Sequence, residues 1–428
     1  MVLTIVLSVL LVLLVLGTAV GFSFGIAGTI GVFLSGINSS TIASIAFQSL
    51  DSFPLMAIPF FILAGDLMKE GGLSERLIHW INSFVGKIRG GLGVVMVVAC
   101  TFFGAISGSS VATVAAIGSI MIPIMEKYGY ERRYSSALAA ASGFLGILIP
   151  PSIPLIIYGI TANVSIGDLF LSTVFPGLLL AIFYIIVNFV FFKKYHTDPA
   201  NNEMDIMSSN MGKSTISALP AIILPIIILG GIYGGAFTPT EAAAVAVIYS
   251  FVVGFFIYRG LSKKNIKRVL LDSALTSSVL LILMALVSVL GRYLTLENVP
   301  LTISGFLTDA FDNKYMFLLV INLLFLLIGM FMETNTAILL FTPLLIPALK
   351  QLGIDPVHFG AILVLNLGIG SITPPFAANL FVANRISGVP VTKMLAPLLP
   401  FLFLAGIPVL FIVTYIPWLS MWLPSLFK

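Results

Sequence analysis

The sequence predicts an all-α polytopic membrane protein composed of two inverted repeats, and three observations support this fold class. The chain of 428 residues is 59% hydrophobic and only 9% charged, whereas a soluble protein carries about a quarter charged residues. Apolar runs of about twenty residues, the length of a membrane-spanning helix, recur from end to end. Glycine and proline positions in the second half repeat those of the first half at a fixed distance along the chain.

The chain opens with three predicted membrane crossings and one interfacial helix. The apolar start, Met1–Leu16, lacks the basic segment of a signal peptide, and hydrophobic sequence resumes after Gly21, which favours a first membrane helix. Over 71–84, apolar residues at helical spacing are interspersed with charges, which is typical of an amphipathic helix at the membrane interface. The three crossings are predicted at 2–18, 22–37 and 51–69.

A re-entrant helical hairpin is predicted between residues 90 and 125. The apolar run is interrupted at Ser107-Gly-Ser-Ser110, the predicted tip, and each arm has about fifteen residues, too few for a full crossing. The next helix is broken at Pro150–Pro151, because proline lacks a backbone N–H and clashes with the preceding turn. A connecting helix over 169–194 ends the first half.

The second half follows a polar linker over 195–215 and repeats this order of elements. Its hairpin has the tip Glu333-Thr-Asn-Thr336, and its broken helix contains Pro374–Pro375. The remaining predicted elements are crossings at 216–233, 237–258 and 269–291, an amphipathic stretch at 299–312 and a terminal helix at 393–428.

Six Gly or Pro positions coincide in the two halves at an offset of 224 residues. Paired interruptions of this kind, at corresponding positions of two halves, are the sequence feature that best locates the binding site of a transporter. The pairs are Pro123 and Pro347, Gly129 and Gly353, Gly146 and Gly370, Pro150 and Pro374, Pro151 and Pro375, and Pro176 and Pro400.

The basic residues predict the orientation of the chain. The loops at Lys193–Lys194 and 259–268 are the most basic, and two crossings separate them, so they lie on one side of the membrane. The positive-inside rule makes this side cytoplasmic. Counting crossings places the feet of the first hairpin on the cytoplasmic side and those of the second on the opposite side. The repeats are therefore predicted to be inverted, with the linker in the cytoplasm.

The hairpin tips and broken helices supply the candidate site. Hydroxyl, amide and unwound carbonyl oxygens are uncharged hard ligands that suit a dehydrated Na⁺, and helix N-termini favour a carboxylate. This pattern predicts uptake of an organic anion coupled to two or more Na⁺ ions. Sodium site 1 is predicted to comprise Ser107, Ser109, Ser110, Gly146 and Pro150; sodium site 2, Met332, Thr334, Asn335, Gly370 and Thr373; and the substrate site, Ser109, Ser110, Asn335, Thr336 and Asn379.

Each of these residues also has a structural interpretation. Small and hydroxylated residues let membrane helices pack closely, and Asn379 could form a plain helix–helix hydrogen bond. Charges inside the membrane are functional hypotheses by default, here Asp66, Glu241 and Glu333. Glu241 could instead cap a helix, and Glu333 could tune ion binding or face a water-filled cavity without a role.

Other function classes lack support in the sequence. The single cysteine, Cys100, lies in an apolar run and cannot form an intrachain disulfide, and the three histidines show no spacing for a transition-metal site. No Gly-rich phosphate loop or nucleophile elbow occurs, so we expect neither an enzyme nor an organic cofactor. The net charge of +4 arises mostly from basic loops and gives no support for nucleic-acid binding.

Four segments resemble the large membrane subunit of TRAP transporters, and the resemblance covers essentially the whole chain. They are Gly-Gly-Leu-Ser-Glu-Arg-Leu at 71–77, Gly-Ile-Leu-Ile-Pro-Pro-Ser-Ile-Pro-Leu-Ile-Ile-Tyr-Gly at 146–159, Phe-Thr-Pro-Thr-Glu-Ala-Ala-Ala at 237–244 and Ile-Thr-Pro-Pro-Phe-Ala-Ala-Asn-Leu-Phe at 372–381. The resemblance implies a multi-pass protein of the bacterial cytoplasmic (inner) membrane. It would import a small organic acid, such as a C4-dicarboxylate or sialic acid, by a Na⁺-driven elevator mechanism.

The resemblance also implies partner proteins and a division of the chain into scaffold and transport parts. The partners would be a small four-helix membrane subunit, expected as a separate chain because no such sequence precedes Met1, and a periplasmic substrate-binding protein, with membrane lipids around them. The alternative is a stand-alone Na⁺-coupled dicarboxylate carrier or Na⁺/H⁺ antiporter of the same superfamily of ion transporters. The resemblance divides each repeat into a scaffold and a transport part. The first repeat, 1–194, would comprise scaffold helices 1–86, a hairpin and broken helix at 87–165 and a connecting helix at 169–194. The second repeat, 216–428, would comprise scaffold helices 216–313, a hairpin and broken helix at 314–390 and a terminal helix at 393–428.

The two repeats differ in the sequence of their hairpin tips. The first tip reads Ser-Gly-Ser-Ser and the second Glu-Thr-Asn-Thr, so the two ion sites need not be chemically equivalent.

Overall fold

A computed structural model describes residues 2–36, 38, 40–86, 88–197, 211–311, 313–375 and 377–427. Within these ranges the regular elements are helices, apart from one isolated antiparallel bridge between Tyr130 and His196. The all-α prediction is therefore confirmed. Most of the predicted linker, residues 198–210, lies outside the described residues.

The first half contains eleven α-helices in the described part of the chain, besides two short 3-10 helices, Phe53–Met56 and Phe192–Tyr195. They are α1 Val2–Val15, α2 Val20–Leu34, α3 Ser40–Leu50, α4 Ala57–Glu70, α5 Leu73–Val85, α6 Gly91–Ser107, α7 Ser110–Lys127, α8 Arg132–Gly143, α9 Leu145–Leu148, α10 Ile153–Ala162 and α11 Ile166–Phe191.

The second half likewise contains eleven α-helices in its described residues, besides two π-helical segments, Val253–Ile257 and Leu402–Gly406. They are α12 Met211–Tyr233, α13 Pro239–Val252, α14 Lys263–Leu296, α15 Val299–Ala310, α16 Lys314–Phe331, α17 Thr334–Gln351, α18 Pro356–Gly370, α19 Ala378–Ser387, α20 Val391–Phe401, α21 Ile407–Tyr415 and α22 Trp418–Leu426.

The helix lengths fit a polytopic membrane protein. Among the described residues, seven helices are long and apolar enough to cross a bilayer, and nine spans result if each of two bent pairs counts as one. One bent pair joins Ser40–Leu50 to Phe53–Glu70 at 63°, and the other joins Arg132–Leu148 to Ile153–Ala162 at 41°. The polytopic part of the predicted fold is thus confirmed.

Three elements differ from the sequence-based prediction. Helix α3 was not predicted, because serines, a threonine and a glutamine interrupt its apolar pattern. The crossing predicted at 269–291 is part of a longer helix, α14, of 34 residues. Its basic first turns are helical, but they are too polar to be recognised as part of a membrane crossing from hydrophobicity. The predicted terminal helix is divided: α20 and α21, joined through the π-helical segment Leu402–Gly406, form one span over Val391–Tyr415, and the short helix α22 begins after Pro417.

Helix boundaries in the two halves follow the offset seen in the sequence. Ser110 and Thr334, which begin the second arms of the hairpins, are 224 residues apart, as are Arg132 and Pro356, which begin the broken helices. The opposite orientation of the two halves, and their division into scaffold and mobile parts, stay predictions.

Glycines bring each hairpin against the break of its own half. A Cβ added to Gly104 of α6 would lie 2.5 Å from the Cα of Gly146, just before the first break. A Cβ added to Gly370, which ends α18, would lie 2.5 Å from the Cα of Gly329 in α16. Since no side chain fits, the backbones are in direct contact at both places.

The helices that follow the breaks cross to the other half. Helix α10 packs against α17 of the second hairpin, and α19 packs against α7 of the first hairpin and against α8. The Tyr158 hydroxyl of α10 donates to the carbonyl oxygen of Pro356 at 2.6 Å. Both hairpins and both broken helices therefore form one interlocked core.

Candidate functional site

A cavity of about 540 Å³ lies where the tips of the two hairpins meet. Its lining includes Ser107, Ser109 and Ser110 from the first tip and Thr334 and Asn335 from the second. The structure therefore brings together five of the residues that the sequence predicts for ion or substrate binding, although they come from halves of the chain more than two hundred residues apart.

The remaining walls come from the first break and from two outer helices. Ile147 and Ile153 line the cavity on either side of the Pro150–Pro151 break. Helix α4 contributes Ile62, Gly65, Asp66 and Lys69, and α14 contributes Thr276, Val279 and Leu280. A Cβ added to Gly65 would lie 3.0 Å from the Cα of Ser107, so α4 touches the first tip there.

The first tip reverses direction through a glycine. Gly108 has φ +59°, a left-handed conformation that favours glycine, and Ser109 then caps α7 by accepting a hydrogen bond from the Ala112 N–H at 3.4 Å. The Gly108 carbonyl accepts from the N–H of Ile153 at 3.3 Å. This bond ties the tip to the start of α10.

Hydroxyl and carbonyl oxygens cluster beneath the first tip. Thr113, which is not among the residues predicted from the sequence, donates to the Ser109 carbonyl at 2.7 Å and lies 3.1 Å from the buried Ser107 hydroxyl. A Cβ on Gly146 would lie 2.8 Å from the Ser109 carbonyl, so Gly146 packs against this cluster without lining the cavity. The only sequence signal for Thr113 is its position four residues after Ser109 on α7.

The first break satisfies its own freed carbonyl. The Ser152 hydroxyl donates to the Ile147 carbonyl at 2.5 Å, which replaces the helical partner that the prolines remove. Pro150 is buried between α9 and α10 and does not line the cavity. The Pro150–Pro151 and Pro374–Pro375 bonds are both cis.

The second tip is organised around Glu333. Its carboxylate caps α17 by accepting from the Thr336 N–H at 3.1 Å, and it accepts from the side-chain amide of Asn335 at 2.7 Å. The Oδ1 atom of Asn335 is buried and has no hydrogen-bond partner among the described residues. Buried polar atoms are nearly always paired. An unpaired acceptor in a residue that lines the cavity is therefore an exception that a bound ion would explain.

The other residues of predicted sodium site 2 do not line the cavity. The Thr373 hydroxyl donates to the Ile369 carbonyl at 2.7 Å, and its N–H donates to the carbonyl of Gly370 at 2.9 Å. Met332 is extended at the end of α16. The structure thus separates Thr334 and Asn335, which line the cavity, from Met332, Gly370 and Thr373, which do not.

The predicted substrate residues are also divided. Ser109, Ser110 and Asn335 line the cavity, whereas Thr336, the last residue of the second tip, is buried and does not line it. Asn379 is fully buried in α19, and its side-chain amide donates to the Ala140 carbonyl of α8 at 3.2 Å. Asn379 therefore forms the helix–helix hydrogen bond that was the structural alternative for this residue. A substrate contact by Asn379 stays a prediction.

The other two predicted intramembrane charges, Asp66 and Glu241, also have definite partners. Asp66 accepts a hydrogen bond from the Ser273 hydroxyl of α14 at 2.6 Å, which links the two outer walls of the cavity. The Glu241 carboxylate accepts from the Thr238 N–H at 2.8 Å, while the Thr238 hydroxyl accepts from the Glu241 N–H at 3.3 Å. This reciprocal pair is a capping box, so Glu241 is a helix cap.

Comparison with known proteins gives a consistent family. Residues 7–419 match the family described as "Tripartite ATP-independent periplasmic transporter, DctM component". The chain is 41% identical over 409 residues to the isethionate TRAP transporter permease protein DctMQ of Oleidesulfovibrio alaskensis, covering 95% of this chain but only 64% of that protein.

Two further relatives match over nearly their whole length. The C4-dicarboxylate TRAP transporter large permease protein DctM of Pseudomonas aeruginosa is 41% identical over 406 residues, 94% of each chain. The sialic acid TRAP transporter large permease protein SiaM of Vibrio cholerae is 38% identical over 423 residues, 97% of this chain and 96% of that one.

A solved structure shares the fold at low sequence identity. The YdaH transporter of Alcanivorax borkumensis superposes with a TM-score of 0.67 at 15% identity, over 90% of this chain and 89% of that one.

Proposed function

Since the chain belongs to the DctM family of tripartite ATP-independent periplasmic (TRAP) transporters, we propose that it is the large membrane subunit of a Na⁺-coupled, binding-protein-dependent importer of a small organic acid. The observation that carries this proposal is the cavity at which the tips of both hairpins meet. The resemblance seen in the sequence and the family match point the same way.

Na⁺ is proposed as the coupling ion because of the oxygens at the two tips. The first tip supplies the hydroxyl of Ser107 and the carbonyl of Ser109, and the second supplies the unpaired Oδ1 of Asn335. These uncharged hard oxygens suit a dehydrated monovalent cation better than a divalent one, which prefers several carboxylates. Gly146, Pro150, Gly370 and Thr373 would shape the two ion sites from behind.

An organic acid is proposed as cargo because two helices begin at the cavity. Ser110 and Thr334 are the first residues of α7 and α17. The Glu333 carboxylate already occupies the start of α17, so the start of α7, capped only by the Ser109 hydroxyl, is where the helix dipole would attract a negative group. The relatives are named for isethionate, C4-dicarboxylate and sialic acid, which are all acids. A small carboxylate or sulfonate is therefore the proposed substrate class.

The interlocked core and the outer helices are proposed to move relative to each other as an elevator. Contact between the first tip and α4 is made at Gly65, which presents no side chain to obstruct sliding. The proposed partners are a small membrane subunit and a periplasmic binding protein, and the proposed location is the bacterial inner membrane.

Reconstituted uptake tests this function. The chain would be placed in proteoliposomes with its small subunit and binding protein, and uptake of labelled succinate, sialic acid and isethionate measured with and without an inward Na⁺ gradient. We expect uptake of at least one acid that requires both Na⁺ and the binding protein. Equal uptake without the binding protein would instead support the stand-alone carrier.

Two single substitutions test the ion sites. Ser110→Ala and Asn335→Ala should each raise the Na⁺ concentration for half-maximal uptake by about tenfold, because a lost contact to a charge costs about 1.5–3 kcal/mol. Folded yield should change little. Ser119→Ala, on an exposed position of α7, and Asn384→Ala, in α19, are matched controls. Unchanged Na⁺ dependence in both tip variants would remove the ion-site assignment.

A further inference from the structure

One face of α4 forms a wall of the cavity. Ile62, Gly65, Asp66 and Lys69 are spaced by three or four residues, so they share one side of the helix. Gly65 is the point of contact with the first hairpin tip. Lys69 lies one turn beyond this contact and is exposed, so its long side chain borders the space between the tip and α14.

The charged side chains that line the cavity differ in whether they already have a bonding partner within the protein. The described lining contains three of them, Asp66, Glu333 and Lys69. Both carboxylates already accept hydrogen bonds, Asp66 from Ser273 and Glu333 from Asn335.

Lys69, in contrast, takes part in no ion pair within the described ranges. The acidic residue next to it, Glu70, is bound to Arg268 at 2.6 Å. The ammonium group of Lys69 is therefore the charge of the cavity that remains for a ligand.

We propose that Lys69 binds the carboxylate or sulfonate group of the transported anion on the α4 wall. This inference rests on the proposed function, since it takes an organic anion as cargo. Most of the neighbouring lining is apolar, including Phe103, Val279 and Leu280. Low-dielectric surroundings strengthen an ion pair formed at the Lys69 ammonium. Because Asp66 and Glu333 also lie in the described lining, the attraction for an anion is local to Lys69 and is not a property of the whole cavity. The contact would give the outer helices a part in substrate selection, besides the hairpin tips.

Charge-selective labelling tests the proposal without knowledge of the substrate. Cys100 is the only cysteine of the chain and is buried, so Cys100→Ala gives a background without thiols. A reporter is then introduced as Val111→Cys, at an exposed position of the cavity lining. On the purified full-length chain, rates of modification by an anionic reagent (sulfonatoethyl methanethiosulfonate) and a cationic one (trimethylammonium-ethyl methanethiosulfonate) are compared.

We expect Lys69→Met to lower the anionic-to-cationic rate ratio by about fivefold or more, because a unit charge acts in opposite directions on the two reagents. Asp66→Asn should raise the ratio. The matched control is Lys393→Met, which removes an exposed cation outside the cavity and should leave the ratio unchanged. Equal ratios with and without Lys69 would overturn the proposal, as would a reporter that reacts with neither reagent.

Uptake assays separate this inference from the proposed function. Lys69→Met should raise the KM for substrate by about tenfold, and Lys69→Arg should restore it, while thermal stability stays unchanged in both. A role of Lys69 only in stabilising the C-terminal turn of α4 would lower stability without changing KM. Failure of the unmodified protein to transport any acid would refute the function alone, whereas normal transport by Lys69→Met would refute this inference alone.

Discussion

Asn335 and Asn379 carry the same side chain in different surroundings. Each donates one hydrogen bond, to Glu333 and to Ala140 respectively, and each has a buried Oδ1 without a partner among the described residues. Only Asn335 lines the cavity. An unpaired acceptor in a residue that lines the cavity is close to where an ion would enter, whereas the Oδ1 of Asn379 belongs to a residue that does not line the cavity.

Substitution of Asn379 tests its structural role. Asn379→Ala should lower the free energy of unfolding by about 0.5–2 kcal/mol, because it removes an interhelical hydrogen bond within the membrane. Thermal unfolding in detergent would measure the loss, and the KM for uptake should stay the same. A raised KM at unchanged stability would instead support the substrate contact predicted from the sequence.

Residue types at the site were predictable, but their contacts were not. Serines and an asparagine at an interruption of an apolar run indicate a polar tip, so Ser107, Ser110 and Asn335 could be named from the sequence. Thr113 and Lys69 carry no such signal. Their positions follow from which face of α7 or α4 is turned inward, and that depends on packing between distant segments.

The hairpins and the broken helices are held together through glycine contacts. Gly370→Ala should destabilise the protein by about 1–3 kcal/mol and reduce transport, because its Cβ has no room against Gly329. Gly291→Ala in α14 is the matched control, since a Cβ there meets nothing within 4 Å. Thermal unfolding and uptake would compare the two variants. Equal stability of both would contradict the backbone contact.

Breaks in helices were predictable because their cause is local. The two double prolines remove donors wherever they occur, and each lies between two helices in the structure. The bend before α4 was missed, although Pro54 lies in it, because the preceding polar segment does not resemble a membrane helix. The end of the terminal span at Tyr415 depends on Pro417, a single proline within an apolar run.

The orientation of the two halves can be tested on the whole molecule. Lys127 and Gln351 end the second arms of the two hairpins, lie 224 residues apart and are both exposed. Inverted repeats place them on opposite sides of the membrane. In a Cys100→Ala background, we expect a membrane-impermeant thiol reagent added to intact cells to label Gln351→Cys and not Lys127→Cys. Labelling of both, or of Lys127→Cys alone, would contradict the inversion.

The crossing of α10 onto α17, and of α19 onto α7, has a consequence for synthesis of the chain. The ribosome releases α10 long before α17 exists, so the first half must reside in the bilayer with lipid in place of its final neighbour. Exposure of an apolar helix to lipid during this time costs little free energy, because lipid tails are as apolar as the missing partner helix. Assembly of the core is therefore completed only after translation of the second half, and a nascent chain stopped at the central linker holds neither a finished cavity nor a finished half.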